Sequence, residues 1–225
     1  MRSDHTREER VMMDIKDTGV LPCIKLHEKA DWVAYAQAMY DGGARAVEVT
    51  MTTPGALEAI EVISSHFKGK MHVAAGTVLD AVSAREVILH GGEIIVNPCV
   101  IEDVLNLGKR YQVPVFSGAF TATECFHAMQ LGASAIKIFP GALGGAKYMT
   151  NLRMVFPDIN IVPSGGITEA NAAEFIKCGA CAVSGARTFM NFEKIEEEGL
   201  GWITKQVELF ISIVRKAKED LPDIP

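Results

Sequence analysis

Short apolar segments alternate with amphipathic ones from one end of the chain to the other. We predict eight β-strands over the apolar segments, at 19–26, 44–51, 71–78, 93–98, 114–119, 135–140, 160–166 and 182–186. Their starts recur about every 21–27 residues, the spacing that a strand, a loop and a three-turn helix require. Most of the segments are apolar at consecutive positions rather than at every second position. This pattern is typical of parallel strands that are covered by helices on both faces.

The segments between the strands carry signals of helix ends. Thr53 followed by Pro54 predicts a helix start after the second strand, with Thr53 as its N-cap. Thr121 and Glu124 have capping-box spacing ahead of a later helix. Residues 1–17 are predicted to form an extra helix before the first strand, and roughly 195–219 are predicted to form the eighth helix.

A glycine precedes every second predicted strand, as Gly43, Gly92, Gly132 and Gly179. Glycine is the usual residue where a helix ends in a left-handed conformation before the chain turns back. The repeat indicates a pair of βα units used four times, which favours a closed barrel over an open doubly wound sheet. We therefore predict one α/β domain over 1–225, a (β/α)8 barrel at 19–219 with an extra N-terminal helix.

Composition and charge exclude several classes of protein. Hydrophobic residues make up 48% of the 225 residues and charged residues 22%, as in soluble globular proteins. The net charge is −6 without a run of Lys or Arg, which argues against nucleic-acid binding. No apolar run approaches the ~20 residues of a membrane span, and the N-terminus lacks the pattern of a signal peptide. Five scattered cysteines fit a reducing cytoplasm, and the Cys178/Cys181 pair is interpreted as buried thiols.

Two charged residues interrupt apolar strands. Catalytic side chains of a barrel lie at the C-terminal ends of its strands, where Lys137 and Glu48 are found. A buried amine without a partner favours its neutral form, and only a neutral amine attacks a carbonyl to form a Schiff base. A carboxylate beside such an amine can shuttle protons. A buried ion pair with a purely structural role explains the same two residues equally well.

The sequence also indicates a phosphate site and gives little support to a metal site. Glycine-containing turns follow the last two strands at Ser164-Gly165-Gly166 and Ser184-Gly185-Ala186, the corner where barrels often bind phosphate. Arg187 could assist, although the glycines could also be simple turns. Glu124 and His127 have the spacing of metal ligands, but the capping role of Glu124 argues against a metal there.

Six motifs resemble those of the 2-keto-3-deoxy-6-phosphogluconate (KDPG) and 4-hydroxy-2-oxoglutarate (KHG) aldolases, from about the first strand to the last. They are VEVTMTT (47–53), AAGTVLD (74–80), VNP (96–98), SGAFTATE (117–124), IKIFPG (136–141) and PSGGIT (163–168).

The resemblance implies a class I aldolase without metal or cofactor that cleaves a 2-keto-3-deoxy-6-phospho sugar acid to pyruvate and glyceraldehyde 3-phosphate, commonly as a homotrimer. It implies a Schiff base at Lys137, a general acid/base at Glu48 and a hydroxyl donor to the pyruvyl group at Thr77. The residues expected to bind substrate are Lys25, Thr52, Pro98, Phe139, Ser164, Gly165, Gly166, Gly185 and Ala186.

Four residues depart from the phosphogluconate pattern and leave the substrate open. Thr52 and Lys25 stand where many members carry arginine, Ser117 replaces a common proline, and Ala186 replaces a frequent serine. Galactonate-type members also lack the arginine at the position of Thr52, so a 2-keto-3-deoxy-6-phosphogalactonate aldolase is an alternative. A phosphate-binding isomerase or epimerase would share the glycine turns without needing Lys137, and an inactive regulatory barrel would need neither Lys137 nor Glu48.

Overall fold

Eight parallel strands form a nearly closed barrel in the computed structural model, which describes residues 5–220. The strands follow the order β7-β6-β5-β4-β3-β2-β1-β8, and two isolated bridges, Ile161 to Ala180 and Ser164 to Ser184, connect the β7 and β8 edges. The predicted closed barrel is therefore confirmed, and each observed strand lies inside a predicted one. They are β1 (Val20–Ile24), β2 (Ala46–Thr50), β3 (His72–Gly76), β4 (Ile94–Val96), β5 (Val115–Ala119), β6 (Ala135–Ile138), β7 (Ile161–Pro163) and β8 (Val183–Gly185).

Helices alternate with the strands and surround the barrel. No helix within residues 5–220 is long and apolar enough to span a bilayer. The helices are α1 (Arg7–Thr18), α2 (Trp32–Asp41), α3 (Ala56–His66), α4 (Ala81–Leu89), α5 (Glu102–Tyr111), α6 (Ala122–Gln130), α7 (Gly141–Val155), α8 (Glu169–Lys177), α9 (Phe192–Glu198) and α10 (Gly201–Glu219).

The N-terminal helix was predicted over 1–17, and the structure begins it at Arg7. Thr6 and Glu9 form a capping box there, and Gly19 in a left-handed conformation ends the helix. Residues 1–4 of the predicted helix lie outside the described residues. The capping box of Thr121 and Glu124 is confirmed at the start of α6.

Three predictions of helix ends were wrong. Thr53 does not cap α3, because its hydroxyl accepts the N–H of Leu26 at 3.3 Å, and Gly55 at φ 75° occupies the N-cap instead. The single helix predicted at 195–219 is two helices, α9 and α10, which Gly199 at φ 72° separates. Before β4 the left-handed glycine is Gly91, at φ 90°, rather than Gly92.

The inside of the barrel is apolar at its N-terminal end, and α1 covers that end. A separate buried cluster contains inward side chains of β1 to β7 and of Ala182, directly before β8, together with Val11, Met12 and Ile15 of α1. Every second residue of a strand faces inward, so the same inner face continues to the C-terminal ends of the strands. Because α1 covers the N-terminal end, a site inside the barrel opens at the C-terminal end.

Candidate active site

Polar side chains replace apolar ones as the inner face approaches the C-terminal end of the barrel. Two residues after a buried apolar position, a sulfur, hydroxyl or charged group lies on the same face in four strands and directly after β7. The pairs are Leu21 and Cys23, Ala46 and Glu48, Ala135 and Lys137, Val162 and Ser164, and Ala182 and Ser184. The sequence thus builds an apolar layer with a polar layer directly above it.

Lys137 and Glu48 meet in this polar layer. The Nζ of Lys137 lies 3.5 Å from Oε1 of Glu48, and the side chains are 12% and 2% exposed. Gly76 of β3 makes room for the carboxylate, because a Cβ at Gly76 would lie 1.9 Å from Glu48 Oε1. Gly118, beside Lys137 in the strand register, likewise lets the backbone of Pro98 approach, since a Cβ there would lie 2.1 Å from the Pro98 carbonyl carbon. The ion pair is therefore built into close backbone packing.

A cavity of about 980 Å³ opens above the pair at the C-terminal ends of the strands. Besides Cys23, Thr50, Arg187 and parts of α8 and α10, it is lined by eleven of the twelve predicted site residues: Lys25, Glu48, Thr77, Pro98, Lys137, Phe139, Ser164, Gly165, Gly166, Gly185 and Ala186. Thr52 is the exception. It is exposed, and its hydroxyl donates to Thr50 Oγ1 at 3.1 Å, so it reaches the cavity only through Thr50.

Thr77 follows β3 in an unusual backbone conformation. Its φ is 61°, a region that costs a β-branched residue on the order of 1–3 kcal/mol. The buried Asn97 holds this loop in place, because its Nδ2 donates to the carbonyl of Val78 at 2.7 Å. Strained backbone of this kind is common at binding sites, and here it brings Thr77 to the wall of the cavity. Sequence analysis gave Asn97 no role, although an asparagine between an apolar strand and a proline is a visible signal.

The turn after β7 presents free backbone donors. Gly165 and Gly166 have φ values of 83° and 75°, and within residues 5–220 their N–H groups donate to no protein acceptor. The carbonyl groups of Ser164 and Gly165 accept the N–H groups of Gly141 and Ala142 at the start of α7. The start of α8 follows, where Asn171 Oδ1 accepts the N–H of Thr168 at 2.8 Å. Unpaired N–H groups beside a helix N-terminus suit an anion such as phosphate.

Sequence analysis gave Cys23 no individual role, and the structure puts it in the lining of the cavity. Its Sγ lies 3.5 Å from Oε1 of Glu48. Cys178 and Cys181 lie outside the cavity. Their thiols donate hydrogen bonds to the carbonyls of Phe175 and Ile161, and burial raises the pKa of both thiols. Within residues 5–220, no three His, Cys, Asp or Glu side chains form a group that could hold a metal ion.

Comparisons with known proteins agree with this geometry. The family model described as KDPG and KHG aldolase matches residues 11–206. The 2-dehydro-3-deoxy-6-phosphogalactonate aldolase of Escherichia coli is 35% identical over 154 residues, which is 68% of this chain and 75% of that protein. The 2-dehydro-3-deoxy-phosphogluconate aldolase of Treponema pallidum is 35% identical over 158 residues, 70% of this chain and 75% of that protein.

A KHG/KDPG aldolase of Escherichia coli matches a longer stretch, with 30% identity over 193 residues, 85% of this chain and 90% of that protein. Among solved structures, one described as native KDPGal has a TM-score of 0.83 at 27% identity and covers 89% of this chain and 96% of its own. The 2-keto-3-deoxy-6-phospho-gluconate aldolase of Zymomonas mobilis has a TM-score of 0.79 at 26% identity, with the same two coverages.

Proposed function

Because the chain belongs to the KDPG and KHG aldolase family and is therefore a carbon–carbon lyase, we propose that it acts as a class I aldolase with Lys137 as the Schiff-base nucleophile. One observation carries the proposal: the Lys137 amine lies 3.5 Å from the Glu48 carboxylate in the polar layer, and both side chains line the cavity. An isomerase would have no use for that amine.

In the proposed reaction the neutral amine of Lys137 attacks the C2 carbonyl of a 2-keto acid, and loss of water gives an imine. Glu48 takes the proton of the C4 hydroxyl group as the bond between C3 and C4 breaks. The electron pair of that bond forms a double bond between C2 and C3, the nitrogen of the protonated imine takes up the C=N electron pair to give a neutral enamine, and the aldehyde leaves. Protonation at C3 and hydrolysis of the imine then release pyruvate and restore Lys137. Glu48 suits both proton transfers because it contacts the amine directly.

The pyruvyl group is proposed to bind between Thr77 and Lys137, with Pro98 and Phe139 as cavity walls. Its carboxylate requires donors, and the hydroxyl of Thr77 and the cation of Lys25 line the same cavity. Thr52 is proposed to act only by holding the Thr50 hydroxyl, to which it donates.

We propose that the far end of the substrate carries a phosphate, bound at Ser164, Gly165 and Gly166 and at the turn of Gly185 and Ala186. The free N–H groups of Gly165 and Gly166 support this site, and Arg187, which also lines the cavity, adds a cation. The proposed substrate is a 2-keto-3-deoxy-6-phospho sugar acid, cleaved to pyruvate and glyceraldehyde 3-phosphate. The galactonate epimer is the second candidate, because a galactonate-type and a gluconate-type relative are each 35% identical.

The phosphate site is tested by kcat/KM for both phosphorylated epimers and for 4-hydroxy-2-oxoglutarate. Each lost bond between such a donor and a charged group is worth about 1.5–3 kcal/mol, so two lost bonds predict a preference of several powers of ten for the phosphorylated substrates. Equal efficiency with and without phosphate would show that the glycines are simple turns.

A matched pair of glycine variants separates binding from backbone strain. In Gly166→Ala, a Cβ would lie 2.5 Å from that of Ala142, next to the proposed phosphate. Gly69 has nearly the same φ, 74° against 75°, with open space around it and no place in the cavity lining. We expect Gly166→Ala to lose most of the preference for phosphorylated substrates and Gly69→Ala to keep it.

The oligomer and the compartment belong to the same proposal. We propose a homotrimer in the cytoplasm. Exposed apolar side chains on α6 and α7, Phe126, Leu143, Met154 and Val155, support burial against another subunit. Five cysteines without disulfides fit a reducing compartment.

A further inference from the structure

Cys23 is a buried neighbour of Glu48 for which the proposed mechanism has no role. It pairs with Glu48 in the register of β1 and β2, and both residues line the cavity. Its Sγ lies 3.5 Å from Glu48 Oε1, and the residue is 4% exposed. Because a carboxylate can only accept a hydrogen bond, the S–H group donates to Oε1.

The two oxygens of Glu48 have different surroundings. Oε1 accepts from Cys23 Sγ and from Lys137 Nζ, each at 3.5 Å, and packs against the backbone of Gly76. Oε2 is buried and has no hydrogen-bond partner within the part of the chain that the structure describes. An unpaired oxygen on a carboxylate that lines a cavity requires a partner, and a bound substrate can supply one.

The thiol of Cys23 is suited to donate rather than to react. Burial, followed by the charge of Glu48, raises the pKa of this thiol well above its ordinary value. The group therefore keeps its proton at neutral pH, and it competes with neither Lys137 as nucleophile nor Glu48 as base.

We propose that Cys23 is a positioning residue, whose S–H group holds Oε1 of Glu48 and thereby leaves Oε2 to take and return the substrate proton. This inference rests on the proposed function, since it assumes that Glu48 is the acid/base. The simplest reaction step in which Oε2 of Glu48 would take and return a proton is proton exchange on bound pyruvate. A C–H bond at C3 of the protonated imine breaks, an O–H bond forms at Oε2, and the C–H electron pair forms a double bond between C2 and C3 while the nitrogen takes up the C=N pair, which gives the neutral enamine. The reverse step returns a proton to C3.

The test measures by NMR the rate at which the methyl protons of pyruvate exchange in D2O. This rate is divided by the amount of imine that borohydride traps. Cys23→Val removes the donor and keeps an apolar group, so we expect normal trapping of pyruvate but exchange at least about fivefold slower. Cys23→Ser replaces one donor by another and should stay within about twofold of the wild type. Cys125 is fully buried on α6 and outside the cavity, so Cys125→Val is the matched control and should exchange normally.

The outcomes separate the inference from the proposed function. Exchange in Cys23→Val above about one fifth of the wild-type rate would overturn the positioning role alone, as would an equal loss in Cys23→Val and Cys23→Ser, which would indicate packing. Failure of wild-type enzyme to form a trapped imine with pyruvate would overturn both. If Cys23→Val does not fold, Cys23→Ala is measured with the same thresholds.

Discussion

At the scale of single residues, the buried pair of Lys137 and Glu48 is costly for the fold. Removing water from two ions costs several kcal/mol each, and their mutual attraction offsets this only with good geometry and further hydrogen bonds. Here the contact is 3.5 Å long and Glu48 Oε2 has no partner. Deleting one partner of a structural pair typically costs about 3–5 kcal/mol of stability. A catalytic pair differs from a structural pair in which property is lost when a neutral side chain of the same shape replaces the carboxylate: the catalytic pair loses turnover, and the structural pair loses stability.

Glu48→Gln makes that replacement. It keeps the shape and removes the base, so we expect turnover to fall about 10²–10⁴-fold while the protein remains folded. Turnover and urea unfolding are measured together. Glu124→Gln is the control, because Glu124 caps α6 in an exposed position outside the cavity, and its turnover should be unchanged. A purely structural Glu48 would give the reverse pattern, with lost stability and near-normal turnover of the folded fraction.

The sequence predicted residues whose chemistry contrasts with their surroundings. Lys137 and Glu48 stood out because charges rarely interrupt apolar strands. Cys23 did not stand out, since a free thiol in an apolar strand behaves as a small hydrophobic side chain. Thr52 was predicted to line the cavity and does not. Its side-chain position depends on the turn after β2, where the hydroxyl group of Thr50 bonds those of Thr52 and Thr53, and no pattern in the sequence predicts that geometry.

At the scale of elements, α1 is attached to the barrel by a polar bridge as well as by its apolar face. His72 at the start of β3 bonds Glu93 Oε2 at 2.8 Å through Nδ1 and Asp14 Oδ2 of α1 at 3.1 Å through Nε2. Burial acts to lower the pKa of His72, but the bonds and charges of Glu93 and Asp14 outweigh it and raise the pKa above 6.5. Burial acts to raise the pKa of Glu93, but the hydrogen bond and charge of His72 outweigh it and hold that pKa below 4.5.

These shifts set a pH window for the stability of the bridge. A histidine with a raised pKa contributes fully below its unfolded value of 6.5, and the contribution is lost as the pH rises through the folded value. We expect the free energy of unfolding to fall as the pH rises above about 6.5 through the folded pKa of His72, and this fall should disappear in His72→Gln. Denaturant unfolding measures it. His127→Gln, at an exposed position on α6, should keep the wild-type dependence, and a His72→Gln variant that kept it too would contradict the account.

The sequence located strands better than helix ends. All eight strands were predicted because consecutive apolar positions mark buried parallel strands directly. Helix ends depend on which hydrogen bonds and backbone conformations prevail locally. The hydroxyl of Thr53 accepts the N–H of Leu26 and therefore does not cap α3. Gly199, at a positive φ, ends a helix inside the segment that was predicted as one helix. Such competition is decided by tertiary contacts that a local pattern does not contain.

At the scale of the whole molecule, barrel closure gathers residues that are far apart in sequence. Lys25 and Ala186 lie at opposite ends of the chain and line the same cavity. Once the repeat indicated a closed barrel, the rule that sites lie at the C-terminal strand ends was enough to predict this gathering. The homotrimer stays a prediction, which the exposed apolar side chains on α6 and α7 support.

The central claim is that Lys137 forms the imine, and trapping with pyruvate and borohydride tests it most directly. We expect irreversible inactivation, with peptide mapping that places the adduct on Lys137. Lys137→Arg should be neither labelled nor active, because a guanidinium stays protonated and cannot form the imine. Lys25 also lines the cavity, so Lys25→Arg is the matched control and should still be labelled at Lys137. An adduct on Lys25 or on any other lysine, or full activity after the treatment, would contradict the account.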